Sequence, residues 1–225
     1  MNWKDIELNE DQTGYSFNGQ TLFEKQFLNA LNFHKEGLAA VKDASGAYHI
    51  DMNGDSIYTQ RYTRTFGYYY EKAAVLLKGK AFHIDMKGNR IYKEEYLWTG
   101  NYQQEICTVK DGSQNYYHIN SKGERLYNDN YKYAGDFREN IACVQLYNNL
   151  FTHIYKDGSR VHNKLFKDLN VYHKGHACAK DNLGWCHIDL KGKPIYRERY
   201  LLLEPFYNGV ALATDLSGEK VLVSE

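Results

Sequence analysis

Five histidines recur at nearly constant intervals, and they are the side chains best suited to chemistry. They are His49, His83, His118, His153 and His187. Four of them have an acid or amide two residues later: Asp51, Asp85, Asn120 and Asp189. Such a pair on one strand face could be a general base and its orienting acid. Because an enzyme needs that pair once, its recurrence predicts a structural role, with hydrogen bonds to turn amides and to a neighbouring repeat.

A second group of potential ligands lies in the fifth repeat. His162, His173, His176 and Cys178 fall within 17 residues and carry atoms that bind zinc or copper. The segment has no Cys-x-x-Cys or His-x-x-x-His pair, and His162 falls on a different predicted strand from the other three. The sequence therefore predicts no metal and no cofactor, and these four residues remain a speculative cluster in a diverged repeat.

Aromatic side chains form the third candidate set. The chain contains 21 tyrosines, and Tyr68, Tyr70, Trp98 and Tyr116 exceed the core positions that the repeat provides. Exposed aromatic rings are favoured at protein interfaces and at sugar-stacking sites. We therefore predict that these four residues bind a ligand. The alternative is that tyrosine simply covers small sheets.

A repeated unit must position these side chains, and evenly spaced glycines mark it. The glycines are Gly19, Gly54, Gly88, Gly123, Gly158 and Gly192, at intervals of 35, 34, 35, 35 and 34 residues. The short polar step before most of them is typical of a tight turn, in which glycine accepts a positive φ. The His-Ile strand precedes the turn, and its isoleucine points to the core. Six hairpin-containing repeats are predicted.

The end of each repeat carries an aromatic residue and, five positions later, a small one. The aromatic residues are Tyr69, Tyr102, Phe137, Tyr172 and Phe206, with His34 in the first repeat. The small residues are Ala39, Ala74, Cys107, Ala142, Ala177 and Ala211. A small side chain at one place in every unit indicates that strands converge there and that their backbones approach closely.

These observations predict one all-β repeat domain spanning residues 1–225. The units are approximately 14–46, 47–80, 81–115, 116–149, 150–183 and 184–218. Residues 219–225 fall where a seventh His-Ile strand would begin and are predicted to pair back with the N-terminal unit, removing two sheet edges. The predicted architecture is a six-bladed β-propeller. An open β-solenoid capped by residues 1–13 is the alternative.

Composition limits the possible partners and the compartment. The chain has 28 basic and 28 acidic residues, so it lacks the charge expected of a protein that binds nucleic acid or anionic membranes. Its N-terminus lacks a basic-apolar leader, which predicts a soluble cytoplasmic protein; leaderless secretion is the alternative. The four cysteines occupy small or apolar positions and indicate a reducing compartment.

The repeat resembles the bacterial WG repeats. Their unit runs approximately Trp-Gly-Tyr-Ile-Asp, two residues, Gly, then Tyr, then Phe-x-x-Gly-x-Ala-x-Val, and residues 184–213 match it well, from Trp185 through Gly192 and Tyr200 to Phe206. The resemblance covers roughly residues 14–215. Histidine replaces the tyrosine of the motif, and the glycine after tryptophan is lost, so this chain looks like a His-Ile-Asp subtype. The resemblance implies interaction or scaffolding and supplies no catalytic motif.

The predicted function is non-enzymatic. We expect a repeat scaffold whose variable loops bind another protein. A glycan or small-molecule binder that uses the surplus aromatic residues is the alternative, and an enzyme or metalloprotein centred on the fifth repeat is a third possibility. No phosphate-binding glycine loop, nucleophile elbow or His-Glu-x-x-His motif occurs in the sequence.

Overall fold

The computed structural model describes all 225 residues, and the chain folds almost entirely into short antiparallel strands. Its one helix is a single 3-10 turn, Trp3–Asp5. No helix has the length and apolar character needed to cross a membrane. The predicted all-β class is confirmed.

Two compact units make up the chain. The first comprises residues 1–114 and 119–124, and the second comprises residues 115–118 and 125–225. The repeat predicted as a single domain runs through both.

Twenty-one strands form seven three-stranded antiparallel sheets, each with its strands in chain order. Sheet 1 contains β1 (Ile6–Leu8), β2 (Tyr15–Phe17) and β3 (Gln20–Thr21); sheet 2 contains β4 (Asn29–Ala30), β5 (Ala39–Asp43) and β6 (Gly46–Ile50); sheet 3 contains β7 (Arg64–Tyr69), β8 (Lys72–Leu77) and β9 (Lys80–Ile84); sheet 4 contains β10 (Trp98–Thr99), β11 (Ile106–Lys110) and β12 (Tyr116–Asn120). Sheet 5 contains β13 (Tyr133–Ala134), β14 (Ile141–Gln145) and β15 (Phe151–Tyr155); sheet 6 contains β16 (Asp168–Leu169), β17 (Ala177–Lys180) and β18 (Trp185–Ile188); sheet 7 contains β19 (Leu202–Leu203), β20 (Val210–Thr214) and β21 (Lys220–Ser224).

There are seven sheets where six units were predicted, because the glycine turns lie between sheets. After the turn at Gly54, for example, the chain runs back along β6 through bridges from Ser56 to Ile50 and from Tyr62 to Ala47, and then enters sheet 3. Six such turns therefore separate seven sheets. The predicted boundary 46/47 falls at the start of β6, within sheet 2, because a periodic sequence gives the length of a repeat but not its phase.

The C-terminal strand completes its own sheet. β21 pairs with β20 along its whole length, and Val223 lies opposite Ala211. The predicted pairing of residues 219–225 with the N-terminal unit is therefore wrong. Val223 occupies the place that isoleucine has in earlier sheets, so the segment is the third strand of sheet 7.

A β-bulge shifts one predicted position in sheet 3. The register of β7 against β8 changes between Thr65 and Tyr68, so Tyr68 is buried and Tyr69 is half-buried. Ala73, and not Ala74, then pairs with the core isoleucine of β9. The predicted aromatic and small positions of this repeat are each one residue too late, because a bulge leaves no mark in the spacing of the glycines.

Small residues face the core isoleucines, as the sequence predicts. The cross-strand pairs are Ala39 with Ile50, Ala73 with Ile84, Ala142 with Ile154, and Ala177 with Ile188. All eight side chains are buried. This close backbone approach leaves room for aromatic rings on the neighbouring sheet to pack.

Candidate functional site

Each array histidine joins its sheet to the next one through two hydrogen bonds at fixed sequence offsets. His83 Nδ1 lies 2.5 Å from the hydroxyl of Tyr92, and its Nε2 lies 2.9 Å from the carbonyl oxygen of Gly100, beside β10 of the next sheet. The equivalent carbonyl partners of His49, His118, His153 and His187 are Phe66, Gly135, Asn170 and Glu204, at 2.7–2.9 Å. The predicted bond to a neighbouring repeat is confirmed.

The hydrogen-bond partners determine where the histidine protons lie. A carbonyl oxygen can only accept, so Nε2 carries the proton and Nδ1 accepts from the tyrosine hydroxyl. His153 meets His162 instead of tyrosine, with His162 Nε2 3.1 Å away and so acting as the donor. The amide of Lys164 then donates to His162 Nδ1 at 3.3 Å. The histidine of the fifth repeat therefore replaces tyrosine as a donor.

Burial keeps the array histidines uncharged. It lowers the pKa of His49, His83, His118 and His153 to about 4, and it also lowers the pKa of His187. An aromatic ring covers each imidazole, and the tightest pair is His187 on Phe206 at 3.8 Å between centroids. With both nitrogens occupied and no access to solvent, these histidines cannot exchange protons with a substrate.

Sheet 1 forms the same link without histidine. The hydroxyl of Tyr15 donates to the carbonyl of Leu31 at 2.7 Å, and its ring packs against Phe33 at 4.9 Å. Phe33 is buried, so it fills the aromatic position for which the sequence offered His34.

The acidic partner of the histidine organises the turn and does not touch the imidazole. Asp85 Oδ1 accepts from the amides of Lys87 and Asn89 at 2.9 and 2.8 Å. Although burial acts to raise it, the pKa of Asp85 is lowered by the hydrogen bonds from Asn89 and Lys87. The predicted role of the carboxylate in holding turn amides is confirmed.

Replacing Asp85 with alanine is expected to lower the free energy of unfolding by about 1–2 kcal/mol, because two turn amides lose their acceptor. Asp85→Asn is the matched control, since Asn120 already serves this role in the next turn, where its Oδ1 accepts from Lys122 and Glu124 at 2.9 and 3.0 Å. Urea unfolding at neutral pH measures both variants. Equal losses for alanine and asparagine would contradict the role of Oδ1.

The speculative ligand cluster of the fifth repeat is not assembled. His162 is buried against His153, Cys178 is buried opposite His187 in sheet 6, and His176 Nδ1 lies 3.4 Å from a carboxylate oxygen of Glu225. No group of three or more histidine, cysteine, aspartate or glutamate side chains is arranged to hold a metal ion. The residues are separated because they serve different strands and loops.

The cysteines are buried, as predicted, and they are unpaired. Burial raises the pKa of Cys143 and Cys178 to about 12 and that of Cys186 to about 11. Because the thiolate is the nucleophile, these thiols are chemically inert at neutral pH.

The predicted ligand-binding aromatic residues have different environments. Tyr68 is a correction: it is buried on His49, and its hydroxyl donates to the carbonyl of Asp85 at 2.9 Å, so the bulge makes it a core residue. Tyr70 and Trp98 are exposed. Tyr116 is half-buried against Tyr133, with ring centroids 5.6 Å apart.

Tyr70 lies at the mouth of a pocket in the first unit. This pocket of about 310 Å³ is lined by Trp3, His34, Lys35, Glu36, Tyr68, Tyr69, Tyr70 and Gln103. Tyr70 and Glu71 both have positive φ at the tip of the β7–β8 hairpin, an uncommon conformation for side chains of this size. Both carboxylate oxygens of Glu36 are buried without a hydrogen-bond partner. The structure thus brings Tyr68 and Tyr70 to one pocket, although only Tyr70 is exposed.

A larger groove lies in the second unit, and we call it the Tyr133–Tyr207 groove. It has a volume of about 530 Å³, and its lining includes Tyr133, Asp136, Arg138, Asp168, His173 and Tyr207. Tyr133 and Tyr207 are exposed, and Tyr207 packs on His173 at 5.5 Å between ring centroids. The groove therefore combines accessible aromatic rings with charges of both signs.

His173 gives the Tyr133–Tyr207 groove an unused polar atom. Its Nε2 is buried and has no hydrogen-bond partner in the protein. Buried polar atoms are normally paired, so a ligand or water in the groove would satisfy it. This feature is absent at the array histidines, whose nitrogens are all bonded.

Spacing could have located part of this groove. Arg138, His173 and Tyr207 each follow directly after the buried aromatic of their repeat, and Gln103 is their counterpart in the first-unit pocket. The residue type at this position changes from repeat to repeat while the aromatic before it does not. Variable chemistry at a fixed structural position is the signal that the sequence analysis missed.

Comparison with known proteins bears on the repeat and the fold. A family model described as WG containing repeat matches residues 119–150. No curated protein matches the sequence.

Among solved structures, the computationally designed Ika8 protein is 11% identical, with a TM-score of 0.53, covering 98% of this chain and 80% of that chain. BamB from Moraxella catarrhalis, a β-propeller, is 10% identical, with a TM-score of 0.50, covering 97% of this chain and 81% of that chain. The chain is thus similar to WG repeat proteins over one repeat, and its all-β fold of tandem sheets is similar to that of these proteins.

Proposed function

We propose that this protein is a non-catalytic, cytoplasmic scaffold of a His-Ile-Asp subtype of WG repeats, and that it binds a protein partner through the Tyr133–Tyr207 groove. The observation that carries the proposal is a division of labour among the polar residues. The recurring histidines and aspartates are consumed by links between sheets and by turns, whereas the groove residues are accessible and differ between repeats.

The groove has the chemistry of a protein interface. Tyrosine and arginine are enriched among the residues that contribute most to binding energy, and Tyr133, Arg138 and Tyr207 supply them here. Asp136 and Asp168 add negative charge beside Arg138, so a partner segment with both an apolar anchor and a charged group fits.

Glycan binding is the second candidate, and a specific observation favours it. Two exposed tyrosine rings flank hydrogen-bonding groups, including the unpaired Nε2 of His173. A sugar ring presents an apolar face to stack on such rings and hydroxyls to reach such groups.

Removing both groove rings is expected to abolish binding. We expect the Tyr133→Ala, Tyr207→Ala variant to lose a partner that the wild type captures from cell extract, and to weaken binding of the purified partner at least about tenfold in calorimetry, because alanine removes both anchors. Tyr147→Ala is the control, because Tyr147 is also exposed in the second unit but does not line the groove.

A glycan array probed with the same variants separates the two candidates. Binding to one glycan that only the groove variant loses would favour the second. Retention of every ligand by the groove variant would place the binding surface elsewhere and refute both.

A further inference from the structure

One face of sheet 7 is apolar and open. Leu212 and Leu222 are cross-strand partners, and Val210 and Leu202 lie on the same face because they are two residues from Leu212 or opposite its neighbour Thr214. Their exposed fractions are 36% for Leu212, 74% for Leu222, 40% for Val210 and 66% for Leu202. Contiguous apolar surface of this kind marks an interaction site.

The same face is covered in earlier sheets. Leu222 occupies the array-histidine position, because His49, His83, His153 and His187 pair with Ala40, Ala74, Cys143 and Cys178 just as Leu222 pairs with Leu212. None of those eight counterparts is more than 5% exposed. The cover in each case is the buried aromatic residue of the following sheet, at 3.8–4.6 Å from the imidazole centroid. Sheet 7 therefore keeps a face built for another sheet but has none against it.

The chemistry of this face selects the kind of cover. A histidine needs a carbonyl in register on the covering sheet, whereas Leu222 needs only apolar contact. The outward face of sheet 1, formed by the cross-strand neighbours Glu7, Ser16 and Thr21, is polar. A copy stacked head-to-tail would therefore bury leucines against polar groups, whereas a copy that presents its own sheet 7 buries leucine against leucine.

We propose that the Leu202–Val210–Leu212–Leu222 face is a homodimer interface in which the sheets 7 of two copies pack face to face about a two-fold axis. An isologous contact requires a self-complementary patch, and the four residues place no charge in its centre. The net charge of zero also leaves no electrostatic barrier to association of two copies.

Light scattering after size exclusion, with the full chain from low to high micromolar concentration, tests the interface. We expect a mass of twice 26.3 kDa for the wild type. Leu202→Asp with Leu222→Asp should raise the dimer dissociation constant at least about tenfold, because association would bury unpaired carboxylates. Leu183→Asp, at a site 72% exposed between β17 and β18, should leave the dimer intact.

Cross-linking gives a readout that does not depend on an introduced charge. Leu222→Cys should form a disulfide-linked dimer under oxidising conditions and Leu183→Cys should not, since the four native cysteines are buried. A monomeric wild type at every concentration would overturn the proposal. So would masses that grow beyond two chains, or an unchanged dimer in the double aspartate variant.

Discussion

Acidification from pH 6.5 to pH 4.5 is expected to remove most of the stability of this protein. Burial lowers the pKa of four array histidines to about 4, whereas histidine in an unfolded chain titrates near 6.5. The unfolded state therefore binds protons that the folded state refuses. Stability is fully present above pH 6.5 and is lost as the pH falls towards 4.

The expected loss is large because the sites are repeated. At pH 5 each histidine favours the unfolded state by about 2 kcal/mol, so four of them contribute about 8 kcal/mol, comparable with the roughly 5–15 kcal/mol that stabilises a typical domain. Carboxylates whose pKa is lowered, such as Asp85 and Asp181, lose their contribution only below about pH 4. The two effects occupy different pH windows.

Urea unfolding followed by circular dichroism at half-unit steps of pH measures this dependence. Between pH 6 and pH 5 the free energy of unfolding should fall by roughly 1.4 kcal/mol per histidine. His118→Gln, which keeps an amide donor and an acceptor, should reduce the slope by about one proton while lowering stability at pH 7. A flat profile from pH 6.5 to pH 4.5 would mean that the array histidines already exchange protons in the folded state.

The second large effect is expected from adding one methyl group at Gly123. Its φ is +82°, and a Cβ there would lie 2.5 Å from Cγ of Tyr92. Gly79 is the matched control: its φ is +77°, and nothing lies within 4 Å of the added atom. We expect Gly79→Ala to lower the free energy of unfolding by about 1 kcal/mol, from backbone strain alone, and Gly123→Ala by at least about 3 kcal/mol, since the ring of Tyr92 must move.

Thermal and urea unfolding of the two variants separate strain from overpacking. Similar losses at both sites would show that only the backbone conformation matters. The same contact recurs along the chain, because the turn glycines Gly54, Gly88, Gly158 and Gly192 would place a Cβ within 3 Å of Phe23, Tyr58, Tyr127 and His162. The turn of each repeat thus packs on an aromatic or imidazole ring of the repeat before it.

The sequence predicts the repeated part of the molecule well and the irregular part poorly. Periodic glycines and His-Ile pairs identify short strands, turns and a structural role for His83 and Asp85, because the same local physics operates in every unit. The bulge that buries Tyr68 adds one residue without changing the glycine spacing. The groove is not apparent from any single repeat, since Tyr133, His173 and Tyr207 come from three successive sheets.

The protonation chemistry of the links between sheets differs along the chain. In the five histidine links the bond to the next sheet depends on a ring that acid can charge. Tyr15 makes the equivalent bond with a hydroxyl whose pKa is raised by burial, so it keeps its proton throughout the acid range. The junction of sheets 1 and 2 is consequently insensitive to acid, and a falling pH would release the links after sheets 2 to 6 while leaving this N-terminal pair of sheets joined.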